Sequence, residues 1–172
     1  MLTPRLEVRL PTEDDRQRFV RLFGDPEFMI FSDGVLDETA AERRFDGMLL
    51  RAKELAFAKQ PVIERSSGQI IGYSGVDRFE FEGHARLEYG YRLIADARGR
   101  GYATEAGRAL LAMAAETFRG EILAIIDPTN SASQNVARKL GFRFWKQAVV
   151  NGYLDNLYRV EIDERWPRPG CH

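Results

Sequence analysis

The stretch Arg98-Gly99-Arg100-Gly101-Tyr102-Ala103-Thr104 joins two glycines and two arginines to the opening of a helix, and these residue types hold phosphates. A helix start leaves backbone N–H groups unpaired and carries a partial positive charge. Glycine lets the backbone close around an anion with no side chain in the way. Gly99, Gly101, Tyr102 and Ala103 are therefore expected to aim N–H groups at a pyrophosphate, with Arg98 and Arg100 adding charge-assisted bonds at its rim. An ordinary strand-to-helix turn with solvated arginines would have the same composition, and spacing alone does not separate the two. A dinucleotide fingerprint fits poorly, because Thr104 stands at the third glycine position of G-x-G-x-x-G. Asp127 would supply that fold's acidic residue, but too few strand-helix units follow the turn. A Gly-Lys-Ser/Thr P-loop ending is absent.

The elements around this turn follow from periodicity. Leu2 to Leu10 alternates apolar and charged residues, as a half-wet strand does. A helix is expected from Thr12 to Phe23, and a second from about Thr39, with Phe45, Met48, Leu49 and Ala52 on one face. Three strands follow: Phe57 to Glu64, Gln69 to Phe79, and Arg86 to Ala95 up to the turn. The helix after the turn buries Ala103, Ala106, Leu110, Met113, Ala114 and Phe118. Ile122 to Ile126 reads as a strand buried on both faces. Asn130 or Ser131 caps a helix that stops at Gly141. Two strands, Phe142 to Val150 and Leu157 to Ile162, close the chain around Asn151-Gly152. The fold class is thus α/β (α+β), with about seven strands and about four helices.

Composition sets the outer limits. The 172 residues suit one domain, and 44% hydrophobic with 30% charged residues suit a globular core under a wet surface. A formal net charge of -1 gives no electrostatic reason to expect nucleic acid or an anionic membrane as partner. The single cysteine, Cys171, precludes an internal disulfide. No apolar run reaches membrane-span length, and a cytoplasmic location is expected.

Three motifs in order resemble the GNAT superfamily of N-acetyltransferases. Arg98-Gly99-Arg100-Gly101-Tyr102-Ala103 is similar to its acyl-CoA signature, Gln/Arg-x-x-Gly-x-Gly/Ala. The run Gly101 to Ala106 and the Asn130-Ser131-Ala132-Ser133 motif ahead of Ala137-Arg138-Lys139-Leu140-Gly141-Phe142 resemble the RimJ/RimL-like branch, which acetylates N-terminal amines of ribosomal proteins. So does the opening Thr3-Pro4-Arg5-Leu6 with Glu13-Asp14. The resemblance covers nearly the whole chain. It implies one GNAT domain over residues 1–165, a loose tail over 166–172, and a mixed sheet splayed between its fourth and fifth strands. It implies acetyl-CoA as cofactor, with pantetheine paired to the main chain of Tyr91, Arg92 and Leu93. The pyrophosphate would sit on Gly99 to Thr104, and Asn130 and Ser133 would touch the cofactor.

The chemistry this implies needs a neutral amine, a polarised thioester carbonyl and a proton for the departing thiolate. A main-chain N–H near Arg92 or Leu93 is expected to hold the oxyanion. Glu88, close to where some GNAT enzymes place a glutamate, is the leading base, against a plain surface role; Asp77 is weaker. The usual tyrosine acid position is Ala137 here, and the fifth-strand glutamate of some peptide acetyltransferases falls at Ile125. Ser133 is left to relay a proton to sulfur, unless it only bonds backbone in its helical turn. Tyr89 and Tyr91 read as core or as pocket wall. His84 and His172 read as solvated, and Cys171 as a poor nucleophile. Phe28, Phe31 and the loop to Leu36 are expected near the acceptor. No metal is required. The expected partner is an amine, either a peptide N-terminus or a small molecule, and a homodimer is left open. The rival reading is a non-catalytic acyl-CoA-binding sensor.

Overall fold

The computed structural model describes residues 1–32, 34–164 and 166. Its seven strands form one sheet in the order β1-β2-β3-β4-β5-β7-β6. In chain order they are β1 (Leu6–Val8), β2 (Gln60–Glu64), β3 (Gln69–Phe81), β4 (His84–Leu93), β5 (Gly120–Ile126), β6 (Arg143–Val150) and β7 (Tyr153–Ile162). The helices are α1 (Arg16–Phe23), α2 (Glu38–Glu54), α3 (Tyr102–Thr117) and α4 (Ser131–Lys139).

Every neighbouring pair is antiparallel except β4 and β5, which run parallel. That parallel pair is joined only at Leu87↔Ile122 and Glu88↔Leu123. Beyond Glu88 the two strands separate, so β4 from Tyr89 to Leu93 has β3 on one side and a gap on the other. The expected splay is therefore present, and it divides the sheet at its centre.

Strand alternation sends β4 side chains to opposite faces of the sheet. Tyr89 and Leu93 enter the main core with α3, where Ala106, Leu110, Leu111 and Ala114 lie buried, and Tyr91 packs against its edge. The opposite face meets α1 and α2 through a second, aromatic core of Phe19, Phe23, Phe28, Phe45 and Tyr73. Phe19 and Phe45 stack there at 5.5 Å, and the edge of Tyr73 meets the Phe28 ring at 6.2 Å. A smaller cluster of Phe81, Val150 and Leu157 fills the end beneath the β6–β7 hairpin.

Boundaries differ from the sequence expectation where polar residues pair by register rather than by pattern. β1 is only Leu6–Val8, and Leu2 folds back to bridge Glu7. β2 starts at Gln60 instead of Phe57, because Phe57 and Ala58 run alongside Val76 as an isolated bridge. β4 ends at Leu93, and Ala95–Ala97 form a 3-10 turn. β7 begins at Tyr153 rather than Leu157, since its first residues lie opposite Ala148 to Val150 of β6. Trp166, assigned to the loose tail from sequence, bonds its N–H to the Asp163 carbonyl and packs against the main core. Cys171 and His172 lie outside the described residues.

Candidate active site

Where β4 and β5 part, a cleft of about 770 Å³ passes through the sheet. Its walls on the α3 side include Tyr91, Gly99, Gly101, Ala103, Thr104, Asn130 and Ser133. Its walls on the α1–α2 side include Phe28, Phe31, Arg44, Lys59, Tyr73, Glu88 and Arg92. One continuous space thus joins the two faces that the sheet otherwise separates.

The α3 end is built from main chain. Gly101 caps the helix in the left-handed region at φ 82°, and Gly99 lies there too at φ 72°. Other residues adopt that conformation at a cost of about 1–2 kcal/mol. The first intrahelical bond runs from the Glu105 N–H to the Gly101 carbonyl. The N–H groups of Gly99, Gly101, Tyr102, Ala103 and Thr104 have no partner among the described residues, and these residues line the cleft. Aligned unpaired amides at a helix start form an anion site. A Cβ at Gly99 would meet nothing within 4 Å, so the floor beside those amides is open. Pyrophosphate and a pantetheine arm fit this donor set and the adjoining gap.

The outer side of the turn is clasped. Arg5 donates to the Arg100 carbonyl at 2.8 Å and pairs with Glu105 at 2.7 Å. Glu105 also accepts from Thr3 Oγ1 at 2.6 Å and from the Arg5 N–H at 2.9 Å. Burial would raise the Glu105 carboxyl pKa, but Thr3 and Arg5 outweigh it and hold it below the usual range. Arg100 pairs with Glu64 at 3.1 Å and covers the Tyr102 ring, away from the cleft. Arg98 donates to the carbonyls of Leu93 and Glu27. Both guanidinium groups expected at the phosphate rim are therefore engaged with the protein itself.

The gap edge of β4 can be read from register. The Ile94 N–H bonds the Ile71 carbonyl of β3, so alternation turns the main-chain groups of Arg92 to β3 as well. Tyr91 and Leu93 turn theirs to the gap, where β5 has left. Of the three main-chain partners the resemblance implies, two face the gap and Arg92 does not. Its side chain instead ties down the loop before α2, donating to Ser32 Oγ at 2.8 Å and to the Phe31 carbonyl at 3.3 Å.

Asn130 caps α4, its Oδ1 accepting from the Ser133 N–H at 3.0 Å. The Ser133 hydroxyl bonds no backbone group among the described residues. It lies 3.1 Å from the Tyr91 hydroxyl, and both line the cleft. Burial pushes the Tyr91 phenol up, against the smaller pull of Ser133 and Arg98. Tyr89 is core: its hydroxyl meets Ser74 Oγ at 3.0 Å and its ring packs on Phe142.

On the opposite face, Glu88, bare Gly90 and Arg92 form the floor along β4. The Glu88 carboxylate lies 3.7 Å from Lys59 Nζ, which also reaches Asp77 at 3.8 Å. Asp77 is shared with Arg51 at 3.4 Å, so it is a structural ion-pair member. Desolvation works against the Lys59 charge, but Glu88, Tyr73 and Asp77 outweigh it and hold the ammonium. Burial would raise the Tyr73 phenol, yet Lys59, Arg92 and Arg44 together draw it below its ordinary value. Farther along, Asp155 of β7 also lines the cleft, its carboxyl raised by burial and by the charge of Asp127. Lys59, Tyr73, Arg44 and Asp155 carry no motif; strand pairing brings Tyr73 and Asp155 to the cleft, the approach to β2 brings Lys59, and the packing of α2 on the sheet brings Arg44. His84, the exposed first residue of β4 rather than a turn residue, bonds the nearby Glu82 carbonyl away from the cleft. The described residues hold no metal-binding cluster.

Residues 5–143 match the acetyltransferase (GNAT) domain family. YkkB of Bacillus subtilis strain 168 is 29% identical over 148 residues, spanning 85% of this chain and 86% of that protein. The structure of an acetyltransferase from Agrobacterium tumefaciens strain C58 aligns with a TM-score of 0.79 at 24% identity, over 93% of this chain and 92% of that one. RimL, a ribosomal L7/L12 alpha-N-protein acetyltransferase in complex with coenzyme A, aligns with a TM-score of 0.78 at 18% identity, over 95% and 97%.

Proposed function

The chain belongs to the GNAT acetyltransferase family and is an N-acetyltransferase that uses acetyl-CoA, and from that premise we propose how its cleft divides the work. The acceptor is a primary amine, a protein N-terminus or a small molecule, and it attacks directly within a ternary complex, as in a RimJ/RimL-like enzyme. When bound, acetyl-CoA supplies the activated acetyl group and a thiolate leaving group. The unpaired amides from Gly99 to Thr104 hold its diphosphate. The gap-facing main chain of Tyr91 and Leu93 takes the pantetheine arm, and Asn130 reaches it from the start of α4. Arg98 and Arg100 serve this site indirectly, by fixing the turn that carries the amides.

An alkyl amine is mostly protonated near neutral pH, so attack requires a proton acceptor. Glu88 fills that role at the point where β4 and β5 part. Lys59 and bare Gly90 keep its carboxylate beside the gap. The Tyr91 N–H, turned to the gap three residues from Glu88, is the donor available to the thioester oxygen, which leaves the Tyr91 carbonyl and the Leu93 N–H to the pantetheine arm, the Leu93 carbonyl being occupied by Arg98. Ser133 lies on the other side of the gap with Tyr91 behind it, and this pair returns a proton to sulfur. The phenol on β4 thus supplies a hydroxyl that Ala137 cannot.

One observation carries this reading: the run of partnerless amides opens into the gap left by the parallel strands. The test is to mix the protein with acetyl-CoA and a panel of primary amines while following free thiol. Amine-dependent thiol release is expected. CoA is also expected to raise the melting temperature where NAD does not. Failure of CoA to stabilise the protein, with no thiol released, would sink the assignment.

A further inference from the structure

The chamber on the α1–α2 side is more positive than an amine-binding site should be. Arg44, Lys59 and Arg92 line the cleft together with Tyr73, Lys59 Nζ lying 6.0 Å from the Tyr73 ring, and among the described residues Glu88 is the carboxylate lining that part of the cleft. The Glu88 charge is already engaged with Lys59. Arg92 is held by neutral groups, Ser32 Oγ and the Phe31 carbonyl. Arg44 stacks on the Phe23 ring at 5.0 Å, with no carboxylate partner among the described residues. Tyr73 Oη likewise has no hydrogen-bond partner among them. A polyamine or other purely cationic acceptor would meet repulsion of like charge here, in a site partly screened from water. An amine that also carries an anion would meet two unneutralised guanidinium groups and a phenol donor.

We propose that the acceptor is a small amine bearing its own anionic group, a carboxylate or phosphate one to three carbons from the nitrogen, with Arg44, Arg92 and the Tyr73 hydroxyl holding that anion. This deepens the acetyltransferase reading and rests on it. With the anion seated there, the amine is directed along β4 over Gly90, toward Glu88 and the gap. Lys59, 3.7 Å from Glu88, disfavours the ammonium form of the bound nitrogen, which lowers the cost of deprotonation. Phe28, Phe31 and Phe79 wall the chamber and leave room for a short apolar body.

The experiment compares matched acceptors with the intact protein and acetyl-CoA. One set holds free L-amino acids and O-phosphoethanolamine. The other holds the amino-acid carboxamides, ethanolamine, spermidine and short peptides with neutral side chains. The expected result is kcat/KM at least tenfold higher for the anionic set. Arg44→Gln should then raise KM for the best anionic acceptor roughly ten- to hundredfold, with kcat and CoA affinity nearly unchanged, because it removes a charged hydrogen bond distant from the reacting atoms. Arg44→Lys should recover part of the loss, and carboxamide acceptors should not respond to either variant. Equal or better turnover of carboxamides, polyamines or neutral peptides would overturn the proposal. So would intact CoA binding with no anionic amine acetylated. Loss of CoA binding in the unmodified protein would instead strike at the acetyltransferase reading beneath it.

Discussion

The two ends of the cleft are made of different material. At the α3 end the cleft offers main chain: five amides without a partner among the described residues, on a turn whose guanidinium groups bond Glu64, Leu93 and Glu27. At the α1–α2 end it offers side chains: Arg44 from α2, Lys59 before β2, Tyr73 from β3, and Glu88 and Arg92 from β4. Backbone donors suit an invariant group such as a diphosphate, because their geometry is fixed by the turn. Side chains suit a variable group, because Arg44 and Arg92 can change at the cleft surface while the aromatic core behind them, with Tyr73, stays in place. The cleft thus separates what one family can share from what a single member can specialise.

This contrast can be broken at each end separately. Glu88→Gln should leave CoA affinity intact while lowering kcat by roughly 10²- to 10⁴-fold, the range for losing a general base. Steady-state kinetics beside calorimetry with CoA would show it, and an unchanged kcat would remove Glu88 from the chemistry. Gly101→Val should do the reverse. A β-branched residue at φ 82° costs about 1–2 kcal/mol and tilts the amides. CoA affinity should fall about a hundredfold once the disturbed charge-assisted bonds are included. Affinity equal to that of the unmodified protein would mean that the turn does not grip the diphosphate. Ser133→Ala and Tyr91→Phe sit between the two ends and should each lower kcat about tenfold, a modest fraction of acid catalysis. If the pair acts as one relay, the double variant should cost little more than either alone.

The smallest effect concerns acid stability. Asp15 and Glu105 both have carboxyl pKa values below their ordinary ones. For Asp15, burial is outweighed by Arg9 at 2.7 Å and the Thr12 N–H. For Glu105, Thr3 and Arg5 do the same. A carboxyl with a lowered folded pKa contributes stability that is present above its unfolded value, near 4, and is lost as pH falls through the folded one. Melting temperature should therefore hold above about pH 5 and decline below about pH 4. Glu105→Gln should flatten that decline and lower the plateau, and an unaltered slope would show that the clasp adds nothing.

The same division explains what the sequence discloses. The turn with its outward amides is legible because it needs glycines and a helix start, and both are local. Asn130 is legible for a similar reason, since a cap leaves a motif at a fixed offset from its helix. The splay can be inferred only from the family likeness, but its place between β4 and β5 follows once those strands are recognised. The partners of Arg98 and Arg100 are not legible, because a cation next to such a turn has the same local sequence whether it bonds an anion, a carboxylate or a carbonyl. The Ser133–Tyr91 contact spans 42 residues, and Lys59 meets Glu88 only through the register of β2, β3 and β4. No local pattern encodes such meetings. Arg44 is hidden more deeply still, since on α2 it reads as one of several solvated cations.

The clasp of Arg5, Thr3 and Glu105 around the back of the turn has a thermodynamic corollary. Those bonds already fix the chain that presents the amides, so little conformational entropy remains to be surrendered when a ligand arrives. Coenzyme association should then proceed at a rate set by collision and orientation rather than by loop rearrangement, with nearly the same turn geometry before and after. Cutting the clasp would convert a rigid cradle into one that must be ordered by its own guest.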